Sequence, residues 1–190
     1  MKPDAEDEIS EALERLLRLL RVTKPVDGLH PVQWEVLRYL ARANAFSRSP
    51  SALARYLGVT KGTVSQTLIA LERQGLVERK ADPRDRRAKF VVLTDAGRRR
   101  GANDPWSALS GLAAALPKKE RRRLGKGLTA LLEALQQRAP APAFGLCHAC
   151  RHFEPLSGRN PLSAPHRCAF FKRPISDEES RLICVEQKPA

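Results

Sequence analysis

The sequence predicts a mainly α-helical fold with one small β-hairpin, followed by a short cysteine-bearing module. Three observations predict it. Apolar residues recur at helical spacing through most of residues 1–138, and the stretch that instead reads as two short strands lies between 76 and 93, broken by a charged tip. All four cysteines fall beyond the proline-rich segment Ala139-Pro140-Ala141-Pro142-Ala143. A length of 190 residues suits one main core with an appendage.

The elements follow in order. Ile9, Leu13, Leu16, Leu17 and Leu20 stand three and four residues apart, which makes residues 5–20 an amphipathic helix whose stripe needs a partner. Pro31 is a good first-turn residue for a second helix running through Trp34, Leu37, Leu40 and Ala41 to about Asn44. Ser49-Pro50 reads as cap and first turn of a short helix to Leu57, stopped by Gly58. Thr60 caps a longer helix in which Val64, Leu68 and Leu71 face inward. Two helices joined by Gly58-Val59-Thr60 make a helix-turn-helix.

Residues 76–80 and 88–93 read as the hairpin strands, and Ala81 to Arg87 as a basic tip too polar for a core. Thr94-Asp95 caps the next helix, and Asp104-Pro105 restarts or kinks it near Trp106. Pro117 opens the last long helix, with Leu124, Leu128, Leu131, Leu132 and Leu135 on one stripe. Apolar stripes at both ends of one domain predict an intertwined helical dimer. The predicted division is a dimer domain over 1–138, a stiff linker over 139–145 and a cysteine module over 146–190.

Composition narrows the function. The chain is 42% hydrophobic and 5% aromatic, in the range of soluble helical proteins. Its longest apolar runs fall short of the roughly 18–20 residues of a membrane span, and the acidic start lacks the charge order of a signal peptide. A cytoplasmic protein with no membrane partner is expected. The formal net charge is +13, and residues 31–100 carry fifteen Lys/Arg against six Asp/Glu, whereas residues 1–20 carry three against six. Clustered cations over the helix-turn-helix point to a polyanion, because binding phosphates releases condensed counterions. Acid–base constellations, phosphate-binding glycine loops and nucleophile elbows are absent, so no enzymatic activity is expected.

A recognition helix presents short polar side chains to base edges while nearby cations anchor phosphates. On the face opposite Val64, Leu68 and Leu71 stands Gln66, flanked by Lys61, Thr63 and Thr67, with Arg73 one turn further along as a phosphate contact. Arg84, Arg86 and Arg87 at the hairpin tip suit the narrow minor groove, where negative potential is focused; Asp82 and Asp85 would orient them.

The order helix, helix-turn-helix, Leu76-Val77-Glu78-Arg79, Asp82-Pro83-Arg84-Asp85-Arg86-Arg87, then Leu93-Thr94-Asp95-Ala96-Gly97 resembles the MarR family over roughly residues 9–138. The resemblance implies a winged helix-turn-helix homodimer built from the first and last helices. It further implies binding to a pseudo-palindromic operator in double-stranded DNA, usually as a repressor. The chain departs from the family pattern at Arg98-Arg99-Arg100-Gly101-Ala102-Asn103, where the helix is ordinarily more apolar.

Cys147-His148-Ala149-Cys150 is a C-x2-C knuckle, with Cys168 and Cys184 at longer spacings. Four thiolates match a tetrahedral zinc site or the four irons of a 4Fe-4S cluster. The second pair is not a knuckle, which favours the cluster over Zn2+, and Phe144, Leu146, Phe153, Phe170, Phe171 and Ile183 could shield it from water. One knuckle with widely separated third and fourth cysteines is also similar to the small iron-sulfur subunits of benzylsuccinate synthase and related glycyl-radical enzymes. His148, His152 and His166 are alternative zinc ligands, and a redox dithiol of Cys147 and Cys150 is a further reading. Joined, the two halves predict a DNA-binding regulator that senses redox state or iron, with a structural zinc module and a small-ligand signal as the alternative. A thiol oxidoreductase is the remaining class, and the chain lacks a thioredoxin-like strand-helix pattern.

Overall fold

The computed structural model describes residues 4–20, 26–81, 89–104, 106–138, 144–155 and 164–189. Its winged-helix part runs α1 (Ala5–Leu20), α2 (Pro31–Arg42), α3 (Pro50–Leu57), α4 (Lys61–Arg73), β1 (Val77–Ala81), β2 (Lys89–Leu93), α5 (Asp95–Ala102), α6 (Ser107–Ala115) and α7 (Lys118–Arg138). The C-terminal part adds a 3-10 turn (Cys147–Ala149), β3 (Phe153–Pro155), β4 (His166–Cys168), β5 (Arg173–Ile175) and α8 (Asp177–Ser180). Strands β1 and β2 pair antiparallel with Val77 opposite Leu93, and β3-β4-β5 form a separate antiparallel sheet.

Three side-chain caps set the helix-turn-helix and its neighbours. Ser49 Oγ accepts the Ala52 amide at 3.1 Å, Thr60 Oγ1 accepts the Thr63 amide at 3.1 Å, and Thr94 Oγ1 accepts the Gly97 amide at 3.0 Å. Each satisfies one of the orphan donors that every helix start leaves. Gly58 ends α3 at φ 65°, a left-handed conformation that glycine adopts without steric cost. The core beneath is built from Trp34, Leu37 and Leu40 of α2, Leu53 of α3, Val64, Leu68 and Leu71 of α4, and Val77, Val91 and Leu93 of the hairpin.

Gly97 explains part of the Leu-Thr-x-x-Gly pattern. The first turn of α5 lies against the turn entering β1, where Leu76 O accepts the Thr94 amide at 3.1 Å, and a Cβ at Gly97 would overlap that carbonyl oxygen. Gly97→Ala is therefore expected to lower stability by about 1–3 kcal/mol, read as a fall in the urea midpoint at unchanged slope.

The chain breaks between α5 and α6, as Asp104-Pro105 predicts. Arg38 of α2 holds both oxygens of the buried Asp104 carboxylate and lies 4.8 Å from the Trp106 ring centroid. Asp104 Oδ1 also accepts the Trp106 amide at 2.9 Å, so the corner is pinned to α2. Helices α1, α6 and α7 bury none of their residues within the single chain. Leu16, Leu17, Leu128, Leu132 and Leu135 are between 45% and 62% exposed, leaving the stripes on α1 and α7 uncovered.

Two sequence expectations are corrected. Helix α2 ends at Arg42, not near Asn44, because Ala43 turns extended to form a parallel bridge with Ile183; Ile183 N donates to Arg42 O at 2.7 Å and Asn44 N to Ile183 O at 2.9 Å. The linker drawn over 139–145 runs too far: Phe144 packs against Tyr39 and Tyr56, with ring centroids 6.5 and 5.1 Å away. Residues 139–143 lie outside the described residues. The cysteine module has a small core of its own, Cys147, Cys168, Ile175 and Cys184, yet Ile183 belongs to the main winged-helix core.

Candidate nucleic-acid interface and cysteine pocket

Burial of Val64, Thr67, Leu68 and Leu71 turns the opposite face of α4 outward. Lys61, Thr63, Gln66 and Arg73 are exposed there, as the sequence suggests. Lys61, Gln66 and Arg73 make no side-chain hydrogen bond or ion pair among the described residues. Thr63 does more than face outward: its hydroxyl shares a 2.9 Å hydrogen bond with that of Thr60, extending the cap at the start of α4.

Thr67 is a correction. It is 7% exposed and its hydroxyl donates to Thr63 O at 2.8 Å, so it faces the core and presents nothing to a groove. Ser65, exposed beside Gln66, is the polar residue on this helix that the sequence reading missed. In the hairpin, Arg79 pairs with Glu72 at 3.1 Å and Lys80 with Glu78 at 2.8 Å. Arg84, Arg86 and Arg87, with Asp82 and Asp85, lie outside the described residues.

The second site is a small, nearly filled pocket of about 10 Å3 whose wall includes all four cysteines, with Phe153, Phe170, Phe171 and Ile175 supplying apolar surface. Cys147, Cys150, Cys168 and Cys184 are all buried and none forms a disulfide. Nitrogen donors converge on their sulfurs. Asn44 Nδ2 points at Cys147 Sγ from 3.8 Å, the Lys188 amide at Cys150 Sγ from 3.5 Å, and the Phe171 amide at Cys168 Sγ from 3.5 Å. Interaction with Cys147 lowers the Cys184 thiol against the opposing effect of burial, and Asn44, the Glu186 backbone and Ser47 add to the lowering. The same interaction, with burial, pushes the Cys147 thiol up.

The three histidines divide. His148 Nδ1 meets Ser180 O at 3.1 Å and His166 Nε2 meets Asp177 Oδ1 at 2.7 Å, which ties α8 to the module. His152 lines the cysteine pocket, and its buried Nε2 has no hydrogen-bond partner among the described residues. Among the described residues, no group of three or more His, Cys, Asp or Glu is arranged to hold a single metal ion.

The module docks on the loop between α2 and α3. Phe46 stacks on Phe171 with centroids 4.2 Å apart and lies 5.6 Å from the Arg173 guanidinium, and Glu186 pairs with Arg55 of α3 at 3.0 Å. The module thus packs against the start of the helix-turn-helix.

The helix-turn-helix, the hairpin behind it and the uncovered terminal helices define a winged-helix fold of the kind that regulates transcription. Residues 27–88 match the MarR family model, and the winged-helix domain has the MarR-type fold. Over 73 residues the chain is 40% identical to the transcriptional activatory protein BadR of Rhodopseudomonas palustris, a stretch covering 38% of this chain and 42% of that protein. It thus spans less than half of BadR's length. The uncharacterized HTH-type transcriptional regulator YdgJ of Bacillus subtilis is 29% identical over 136 residues, 68% of this chain and 74% of YdgJ. A MarR transcriptional regulator from Methanosarcina mazei superposes with a TM-score of 0.54 at 25% identity, over 70% of this chain and 99% of that one. Nearly the whole of that protein is matched, so part of this chain lies outside the shared fold.

Proposed function

We propose that this chain is a sequence-specific DNA-binding regulator of transcription that acts as a homodimer, with its DNA affinity set by a 4Fe-4S cluster that senses redox state or iron. The observation supporting DNA binding is the outer face of α4, where Lys61, Gln66 and Arg73 are exposed and unpaired among the described residues. A helix of that kind fits the major groove, and two-fold symmetry presents two copies to successive grooves of a pseudo-palindromic operator. A second copy of the chain covers the leucine stripes of α1 and α7. Charge favours the pairing, since Glu6, Asp7 and Glu8 open α1 while Lys118, Lys119, Arg122, Arg123 and Lys126 crowd one flank of α7. Repression is the direction we adopt from the family resemblance. BadR is named an activatory protein, so a reporter fusion that rises on adding the gene would reverse that assignment.

Titrating the full chain against a randomised duplex pool tests the DNA-binding reading, and enrichment of an inverted repeat is the expected result. Two variants grade it. Gln66→Ala should cost about 1–3 kcal/mol and relax preference at one base pair per half-site. Arg73→Ala should weaken binding evenly across sequences and lower the salt slope by about one per chain. A pool that shows no enrichment, with binding insensitive to both variants, would remove α4 from DNA recognition.

The cluster reading rests on the nitrogen donors aimed at three cysteine sulfurs within one apolar-walled pocket, since such bonds stabilise thiolate ligands and tune a cluster's potential. The orphaned His152 Nε2 adds to it, because an inorganic sulfide would give that nitrogen a partner. The cluster is preferred to zinc on the spacing of the cysteines, since Cys168 and Cys184 do not form a second C-x2-C knuckle. The cluster would supply electron-transfer or iron-release chemistry; the protein's part is to hold the thiolates, shield them with Phe153, Phe170 and Phe171, and aim N–H groups at sulfur. Cys168→Ser is expected to abolish cofactor loading while leaving the dimer intact by sedimentation. A fully loaded Cys168→Ser protein would remove Cys168 from the ligand set.

A further inference from the structure

Asn44 and Ser47 are 1% and 0% exposed, although both are polar and sit in a loop. Their hydrogen bonds, with those of the adjoining Arg48 and Ser49, connect the cysteine pocket to α2, α3 and β2. On one side, Asn44 Nδ2 faces Cys147 Sγ, and the Val185 amide, next to Cys184, donates to Ser47 Oγ at 2.8 Å. Between the two, Ser47 Oγ donates to Asn44 Oδ1 at 2.7 Å, and that oxygen also accepts the Phe46 amide at 3.1 Å. On the other side, Tyr39 of α2 donates to Ser47 O at 2.6 Å, Arg48 O accepts the Val91 amide of strand β2 at 2.8 Å, and Ser49 caps α3. Phe46 makes a parallel connection, stacking on Phe171 while the Phe171 amide points at Cys168 Sγ.

We propose that Asn44 and Ser47 couple the ligation state of the cysteine pocket to the helix-turn-helix and wing, so that the ligated pocket favours the DNA-binding arrangement. The proposal rests on the reading of Cys147 as a ligand. A ligated sulfur gives the Asn44 amide a fixed acceptor, and Asn44 in turn fixes Ser47 and the backbone that leads to α3 and β2. Releasing the ligand set frees the Cys147–Cys150 turn, and a buried amide with no access to water must then change partners, taking the loop with it. Both residues are positioning residues: they act through the cap of α3 and the bond to Val91, and neither faces DNA.

A double-mutant cycle on the full chain tests the coupling, with dissociation constants measured on one selected duplex and iron, sulfide and zinc quantified on every sample. Cys147→Ser is expected to weaken DNA binding about fivefold or more in the otherwise unchanged chain, the lower end of ordinary coupling between sites, and less than about twofold in a Ser47→Ala background. Equal losses in both backgrounds, or none in either, would overturn the proposal. If Cys147→Ser fails to fold by thermal melting, Asn44→Ala keeps the test open. All four cysteines then remain, and at matched cofactor content DNA affinity is expected to fall about fivefold or more, while unchanged affinity would overturn the proposal. Absence of iron, sulfide and zinc from the parent protein would defeat the proposal together with the cluster reading, zinc in place of iron would defeat the cluster reading alone, and a loaded parent with equal losses in both backgrounds would defeat the coupling alone.

Discussion

Placing glutamate at both Leu128 and Leu132 of α7 is expected to convert the protein to a monomer and to lower operator affinity by about 10^2- to 10^4-fold. The two leucines are 45% and 54% exposed in the single chain and stand one turn apart on the stripe that continues through Leu124, Leu131 and Leu135. Apolar surface of that extent on a long helix is stabilised only by burial, and a pair of carboxylates in its middle would be desolvated without partners. Affinity falls because a dimer binds its second half-site intramolecularly; a monomer loses that effective concentration and nothing in α4 has to change. Sedimentation and DNA titration on one sample separate this from unfolding. A double variant that stays dimeric at micromolar concentration would mean that the α7 stripe is not the dimer contact.

Trp34→Ala is the second large effect, expected to cost about 3–5 kcal/mol of folding stability. Trp34 is fully buried at the centre of the core, and its indole N–H donates to Val26 O at 3.3 Å, anchoring the turn that enters α2. Removing it empties the space the indole fills in the core and takes from Val26 O one of its two donors, leaving the Leu29 amide at 2.9 Å. Because a domain of this size holds only about 5–15 kcal/mol in total, the variant should be largely unfolded well below the melting temperature of the parent protein. A urea midpoint that moves little would show that the cavity collapses or that the C-terminal module carries the stability.

The winged-helix half was legible because its signals are local. Ser49, Thr60 and Thr94 act as caps where short polar side chains precede apolar helical spacing, and Gly58 stops α3 where a left-handed residue is required. Thr67 was legible in principle and misread. Val64, Thr67, Leu68 and Leu71 complete an i, i+3, i+4, i+7 stripe, but a hydroxyl disguised Thr67 as polar surface, and that hydroxyl is satisfied within the helix by Thr63 O.

The docking of the cysteine module was not legible. It depends on Ile183, one apolar residue outside any periodic run, bridging to Ala43 more than a hundred residues away, and on Asn44 and Ser47, which look like ordinary loop residues until both are found buried. The four cysteines were plain in the sequence; that they share one wall with His152, behind a loop that opens the helix-turn-helix, is a property of the tertiary fold.

The measurement that tests the central claim most directly is anaerobic purification of the full chain, with its visible spectrum and its iron, sulfide and zinc contents taken on the same sample before and after air exposure, and operator affinity measured at each stage. The account predicts a brown protein with about four irons and four sulfides per chain, and weaker operator binding once the cluster is lost. A colourless protein holding about one zinc per chain, or a cluster whose loss leaves DNA affinity unchanged, would contradict it.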